Sequence, residues 1–380
     1  MKRRTFIRCL GCGAALAVAP RSDLIPEFLG GLQNVYAFDL TTELSSVEAR
    51  YYKKVKGGGI ECGLCPRHCF ITDLERGYCG VRENRKDTYY TLVYGLPCSV
   101  NIDPIEKKPL FHYYPGEQAF SLATAGCNVN CKFCQNWEIS QTRPEHTRNI
   151  KLPPQEIVDI CLSRAIPIIA YTYSEPIVFY EYMYDIAELG NKAELKSVMI
   201  TGGFIEPEPL KNLLPQLGAV KVDLKAIREN YYRDIVHGEL KPVLDALVQI
   251  KNAGTWLEIV YLVVPTLNDS DNEFHELARW IKTNLGADVP LHFSRFYPQY
   301  LLKNLPPTSL ITLERAYEIA RNEGLEYVYI GNVPGHKAES TYCPDCGQIL
   351  IERRGYRILN YNLNGNLCNK CYREIPGRFK

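Results

Sequence analysis

"TAGCNVNCKFCQNWE", residues 124–138, places Cys127, Cys131 and Cys134 in a C-x3-C-x2-C run. A closed thiolate site usually takes four ligands, so three thiols at this spacing read as a set with one position left over. The run follows "AFSLATA" (119–125), an apolar stretch of strand character. Further apolar stretches recur downstream: "PIIAYTY" (167–173), "KSVMITG" (196–202), "AVKVDLK" (219–225), "WLEIVYLVVP" (256–265), "PLHFSRFYP" (290–298) and "YVYIGN" (327–332). Helical patterns lie between them. "DNEFHELARWIKTNL" puts Phe274, Leu277, Ala278, Ile281 and Leu285 on one face. "SLITLERAYEIARNEG" does the same with Leu313, Ala316, Tyr317 and Ala320, and stops at Gly324.

Near-continuous apolar strands separated by helices predict a parallel sheet covered on its outer face. The predicted fold class is α/β: a partial (β/α)6 TIM-type barrel over residues 112–333, a small Cys-rich N-terminal region at 41–111 and a zinc-ribbon tail at 334–380. Residues 1–40 read as signal and linker. A flat, doubly wound nucleotide-binding sheet has less support, because no GxGxxG follows the first strand.

In such a sheet, chemistry gathers at the C-terminal ends of the strands. That places the Cys127 loop on the functional rim. Thiolates favour zinc or iron–sulfur centres. On a 4Fe-4S cube, three protein ligands leave one iron free to bind a substrate or cofactor. A zinc knuckle is the plainer alternative.

The other strand ends supply candidate cofactor contacts. Glu175, in "YTYSEP", can accept from an ammonium group or cap a helix. Thr201 and Gly202, in "MITGGFI", allow a ribose close to the backbone, or simply turn the chain. Asp223 and Lys225 alternate onto one face, where buried charges need partners. Asn268 sits in the turn after the fifth strand, and His292 and Arg295 are expected near the mouth. No catalytic residue is singled out.

Two more cysteine sets flank this core. Cys343, Cys346, Cys368 and Cys371 form two CxxC pairs 21 residues apart, the pattern of a zinc ribbon. So short a segment cannot hold itself by core packing, and bound zinc would supply the missing stability. Four ligands fill the shell, which argues for a structural metal. Cys62, Cys65, Cys69 and Cys79 also make a set of four, which fits either zinc or an auxiliary 4Fe-4S cluster. Cys98 and Cys161 read as buried apolar residues.

Charge narrows the partners. The net charge of +1 offers no basis for capturing nucleic acid or an acidic membrane surface. "MKRRTFIRCLGCGAALAVAP" has Arg3 and Arg4 ahead of a short apolar run, the pattern of a twin-arginine export leader running from Met1 to about Ala37. The alternative is a cytoplasmic protein with a basic tail. No second long apolar stretch follows, so no transmembrane span is expected.

The C-x3-C-x2-C run, accompanied by Phe133 and Trp137, resembles that of the radical S-adenosylmethionine (SAM) superfamily. More specifically, "CGLCPRHC…GYCGVR", "TAGCNVNCKFCQNWEIS", "YTYSEPIVFYEY", "VDLKAI", "HFSRFYP", "YVYIGNVPGH" and the C-terminal ribbon occur in this order. Together they resemble the radical SAM enzymes of the AmmeMemoRadiSam system, within the pyruvate formate-lyase activating enzyme-like group, over about residues 55–375. The resemblance implies a 4Fe-4S cluster on Cys127, Cys131 and Cys134 whose open iron chelates SAM. It implies an acidic hold on the SAM amino group at Glu175. It also implies reductive cleavage of SAM to a 5′-deoxyadenosyl radical, which abstracts hydrogen from a small-molecule or protein substrate. The implied partners are an electron donor such as flavodoxin or ferredoxin, and Memo-like and AMME-type proteins. Two other functions compete: activase of a glycyl-radical enzyme, and a non-catalytic iron–sulfur and zinc electron carrier. Thr201-Gly202-Gly203 departs from the Asn-Gly common in activating enzymes.

Overall fold

A computed structural model of the protein describes residues 39–379. The expected leader, with Cys9 and Cys12, lies outside the described residues. Among the described residues, no helix is long and apolar enough to cross a membrane.

The centre is one eight-stranded sheet: β1 (Ser99–Pro104), β2 (Gln118–Ala123), β3 (Ile168–Tyr171), β4 (Lys196–Thr201), β5 (Ala219–Asp223), β6 (Trp256–Val263), β7 (Leu291–Arg295) and β8 (Val328–Gly331). Strands β2 to β8 are parallel and neighbour one another in chain order; β1 pairs antiparallel with β2. Six crossovers join the parallel strands. They carry α1 (Pro154–Ser163), α2 (Tyr180–Lys192), α3 (Pro207–Leu213), α4 (Leu240–Asn252), α5 (Asp271–Asn284) and α6 (Leu310–Asn322). All seven apolar stretches read from the sequence form these parallel strands. Strand β3 is buried at every position, as a strand covered on both faces must be.

The helices follow their apolar period. Phe274, Leu277, Ala278 and Ile281 of α5 are fully buried. Ser270 and Ser309 cap α5 and α6 by accepting from the N–H groups of Glu273 and Thr312.

The sheet does not close by hydrogen bonding, since β1 and β8 are its two edges. It curls, because residues from both edges line one cavity, among them Asn101 of β1 and Asn332 just beyond β8. Edge strand β1 was not expected from the sequence.

The interior of the curl has two levels. At the N-terminal end of the strands, residues 105–114 plug the lower level with Ile105, Leu110 and Tyr113 packed on Ala119, Ile168, Ala170, Val198 and Ala219. Beside them lies a buried polar knot. Glu258 accepts from the N–H groups of Phe111 and His112 at 3.0 and 2.8 Å, from Trp256 Nε1 at 3.0 Å and from His292 Nε2 at 2.7 Å. The upper level is the cavity.

Two smaller parts attach. Short antiparallel strands between residues 47 and 91 pack on α2, where the buried Arg82 pairs with Glu181. The strands Thr341–Tyr342, Ile349–Arg354 and Arg357–Tyr361 form a C-terminal sheet. Buried Arg353 on this sheet donates to Phe111 O at 2.8 Å and so ties it to the plug.

Candidate active site

The loop from Gly126 to Ser140 carries Cys127, Cys131 and Cys134 at the C-terminal end of β2. Its shape is fixed by bonds to its surroundings. Gly126 N–H donates to Ile139 O at 2.9 Å, and the N–H groups of Asn130 and Lys132 donate to Val236 O and Ile235 O at 3.1 and 3.0 Å. Asn128 Nδ2 donates to Phe204 O at 2.7 Å, and Gln141 Nε2 to Val129 O at 3.0 Å. Gly126 has φ +97°, and a Cβ there would lie 2.7 Å from both Cys79 O and Val81 Cγ1. Glycine is therefore required by conformation and by space.

All three thiols line a cavity of about 590 Å³. Burial pushes the Cys127 thiol well above its ordinary range, with the Glu175 carboxylate adding to it. Burial pushes Cys131 up to about 12, against the pull of Lys225. Without a metal Cys127 and Cys131 hold their protons, which a metal centre must displace. Among the described residues, no fourth cysteine lines this cavity. Three thiols on one loop, lining a cavity that no fourth cysteine of the described residues lines, fit a cluster with one free corner.

Glu175 leads from β3 into the wall. Its carboxylate accepts from Thr201 Oγ1 at 2.6 Å, Gly202 N at 2.9 Å and Ile177 N at 3.3 Å. It therefore both caps the short helix at Pro176–Phe179 and lines the cavity. Burial raises its pKa despite these bonds and Lys225. Gly202 lies so close that a Cβ there would sit 3.3 Å from Glu175 Oε2. Gly203 takes φ +74°, and its N–H donates to Thr201 Oγ1 at 3.0 Å.

Asp223 and Lys225 come from β5 and the residues just after it. Burial favours the neutral acid, but Lys221 and Lys225 override it and hold Asp223 at about 2. Lys225 Nζ lies 3.1 Å from Asp223, which also bonds Lys221. Burial lowers the pKa of Lys221, against the attraction of Asp223.

Glu175, Thr201, Gly202, Asp223 and Lys225 thus share one cavity with the three cysteines. Asn268, His292 and Arg295 do not line it. Asn268 is a turn clamp: it donates to Lys225 O and Leu262 O and accepts from Val264 N–H. His292 is buried in the lower level against Glu258, away from the expected mouth. Arg295 donates to Thr308 O at 2.8 Å. The place near the mouth goes to Ser294, its neighbour in the strand.

Several lining residues escaped the sequence reading: Asn101, Lys107, Lys108, Tyr173, Lys221 and Tyr356. Lys221 had a signal, since it lies on the same alternating face as Asp223 and Lys225. Lys107 and Lys108 share one carboxylate, Asp103, at 2.8 and 2.6 Å, and Tyr173 donates to the same group. Two lysines before an apolar segment gave no sign of this. Tyr356 comes from the C-terminal hairpin, beyond any local pattern.

The C-terminal thiols of Cys343, Cys346, Cys368 and Cys371 all lie within 4.8 Å of one another. A tetrahedral ion with bonds of about 2.3 Å fits between sulfurs so placed.

The Radical SAM superfamily model matches residues 121–281. The uncharacterized protein MJ0808 of Methanocaldococcus jannaschii is 44% identical over 330 residues, covering 86% of this chain and 98% of that protein. A pyruvate formate-lyase-activating enzyme from Clostridium pasteurianum is 23% identical over 166 residues, 41% of this chain and 66% of the enzyme. The solved radical SAM methyltransferase of Sphaerobacter thermophilus aligns with 81% of this chain and 82% of its own, at 18% identity and a TM-score of 0.47.

Proposed function

The chain belongs to the radical SAM superfamily and is an enzyme of that class; from that premise we propose that Cys127, Cys131 and Cys134 hold a 4Fe-4S cluster whose fourth corner takes SAM. The single observation that carries this reading is the set of three cavity-lining thiols with Glu175 on the same wall. Such a cluster, once bound and reduced, would supply the electron for reductive cleavage of SAM to methionine and a 5′-deoxyadenosyl radical, the species that would take a hydrogen atom from the substrate.

The residues of the chain bind and orient. Glu175 keeps a carboxylate oxygen beside Gly202 for the SAM ammonium. The Thr201–Gly203 turn leaves backbone open to a ribose. Asp223, between two lysines, positions Lys225 toward a carboxylate. Lys107 and Lys108, sharing one acid, favour a substrate bearing a carboxylate or phosphate. We read the curled sheet as a partial barrel, and the Cys343 quartet as a structural zinc site. Partnership with Memo-like and AMME-type proteins rests on the sequence resemblance alone.

The test is anaerobic incubation with dithionite and SAM, with 5′-deoxyadenosine measured by mass spectrometry. Formation is expected in the native protein and lost in the Cys127→Ala, Cys131→Ala, Cys134→Ala triple variant. Equal turnover in that variant overturns the reading. A second reading, activation of a glycyl-radical enzyme, is favoured by the likeness to the Clostridium activating enzyme. A glycyl signal by electron paramagnetic resonance (EPR), on adding a glycyl-radical partner, is its test.

A further inference from the structure

Cys62, Cys65, Cys69 and Cys79 take no part in the cavity, and none is in a disulfide. Cys62 ends the strand Ile60–Cys62, Cys65 and Cys69 flank the turn after it, and Cys79 precedes the strand Arg82–Arg85. The turn is tightly wound. His68 is left-handed at φ 43° and its N–H donates to Cys65 O at 3.2 Å; Cys62 N–H donates to Cys69 O at 3.0 Å. Cys65 lies within electrostatic reach of the other three thiols.

Two observations point to a ligand among them. The N–H of Tyr78 is aimed at Cys69 Sγ, 3.4 Å away, a contact that favours sulfur bearing charge. Arg82 is 1% exposed, lies beside Cys62 and Cys79, and has an Nη1 with no hydrogen-bond acceptor. A buried guanidinium N–H left unpaired is costly, and an anionic, sulfur-rich group would complete it.

The spread of the thiols tells which group. A single tetrahedral zinc with bonds of about 2.3 Å needs its sulfurs about 3.8 Å apart. Among the described residues, the C-terminal quartet meets that need, with all four sulfurs within 4.8 Å, and the Cys62 set does not gather so closely. A wider set suits a multi-iron core, in which each sulfur binds a different iron.

We propose that Cys62, Cys65, Cys69 and Cys79 hold a second iron–sulfur cluster of the four-iron class, which relays electrons to the site at Cys127. The relay rests on the reading of the Cys127 loop given above. The two sites share a wall. Cys79 O and Val81 press on Gly126, and Tyr78 lies within electrostatic reach of Cys127 and Cys131. Arg67 covers the Tyr78 ring at 3.8 Å and donates from Nε to Asn128 O at 2.9 Å, clamping one cysteine loop to the other. In the relay, a low-potential donor of the ferredoxin or flavodoxin class gives up one electron. The N-terminal cluster accepts it, passes it to the Cys127 cluster and returns to its oxidised state. No bond or proton moves.

The experiment uses the full chain, reconstituted anaerobically with iron and sulfide. About eight irons and one zinc per chain are expected. About four irons with two zincs overturns the proposal. The triple variant Cys127→Ala, Cys131→Ala, Cys134→Ala is expected to retain about half the iron and an EPR signal indifferent to SAM. Loss of all iron from that variant counts against a second cluster. Conversely, Cys65→Ser with Cys69→Ser is expected to halve the iron while keeping a signal that SAM shifts; unchanged iron overturns the assignment. If the native protein holds about eight irons and the Cys65→Ser, Cys69→Ser variant about four, but SAM shifts no signal in that variant, the reading of Cys127 has failed and the second cluster has not. The relay is tested by the ratio of flavodoxin-driven to dithionite-driven 5′-deoxyadenosine in the Cys65/Cys69 variant. A fall of at least tenfold is expected, and an unchanged ratio removes the relay.

Discussion

Replacing Glu175 with glutamine tests the SAM-binding wall with little change of shape. The side chain is 4% exposed and accepts three hydrogen bonds, from Thr201, Gly202 and Ile177. A carboxylate offers about four acceptor positions, so about one remains for a ligand. An amide has one oxygen. If that oxygen stays on Gly202 N–H, the NH2 group turns toward Thr201 and Ile177. Thr201 can still accept, as it already does from Gly203 N–H. Ile177 N–H loses its acceptor, though that bond is long at 3.3 Å. The structural loss is therefore about 1 kcal/mol, or roughly 2 °C in Tm for a chain this large. The loss to a bound ammonium is greater, about 1.5–3 kcal/mol for a charge-assisted bond. At about 1.4 kcal/mol per decade, that is roughly 10- to 150-fold in the Kd for SAM. Titrating SAM against the EPR signal of the reduced cluster measures the Kd, and circular dichroism measures Tm. The pH dependence gives a second readout. Burial raises the Glu175 pKa, so native affinity should weaken as pH falls into that raised range, while the glutamine variant stays flat. A Kd within twofold of native, at equal iron content, would refute the reasoning.

Three further outcomes are expected. His292→Ala removes one of the four donors to buried Glu258 and should lower stability in urea by about 1.5–3 kcal/mol, with the Kd for SAM unchanged. Gly126→Ala forces a Cβ to 2.7 Å from Cys79 O and strains φ +97°, at about 1–3 kcal/mol, so iron bound after reconstitution should fall by more than half. Asp103→Asn strips the buried Lys108 of its counter-charge and should cost about 3–5 kcal/mol in thermal or urea unfolding. Burial works to raise the Asp103 pKa, but Lys108 and Lys107 hold it at about 2, below its unfolded value. The stability it contributes is thus present above about pH 4. The difference between native and Asp103→Asn proteins should be level from neutral pH to that point and narrow below it as pH falls toward 2.

The parallel strands were legible because each is an apolar run too long and too continuous for a half-exposed sheet. The cysteine loop was legible because its spacing is local. Depth along a strand was not. In β7, His292 and Ser294 share the inward face, and Arg295 alternates away from it. At about 3.3 Å per residue, His292 lies about 7 Å deeper than Ser294. The first joins Glu258 in the lower level and the second reaches the cavity. Parity alone cannot choose between them; the choice depends on how high the plug at 105–114 fills the curl. The plug, IEKKPLFHYY, combines apolar residues with two lysines, and nothing local in it says that it enters the sheet. Asn268 failed differently. A buried asparagine that satisfies three backbone groups in a turn has the same sequence appearance as a ligand contact.

The plug also accounts for how an incomplete ring of strands can house a reactive intermediate. Six β/α units leave a gap between β1 and β8, and radical chemistry requires that water be kept out. Two segments outside the repeating units add to the enclosure, with Lys107, Lys108 and Pro109 of the plug and Tyr356 of the C-terminal hairpin lining the cavity. Phe111 and His112 form part of the floor, with Phe111 edge-on to His292 at 4.7 Å and His112 Nε2 2.6 Å from Tyr329 Oη. The C-terminal sheet holds that floor through Arg353, whose guanidinium lies over the Phe111 ring at 4.2 Å, and its hairpin sends Tyr356 to the cavity. Cys343 directly follows the first strand of the same sheet, and the thiols of its quartet converge as a single metal ion requires. A metal held there would act on the chemistry by keeping the floor in place. Its loss should loosen Phe111 and His112 before it disturbs the Cys127 loop, whose own bonds run to Phe204, Ile235 and Val236 instead.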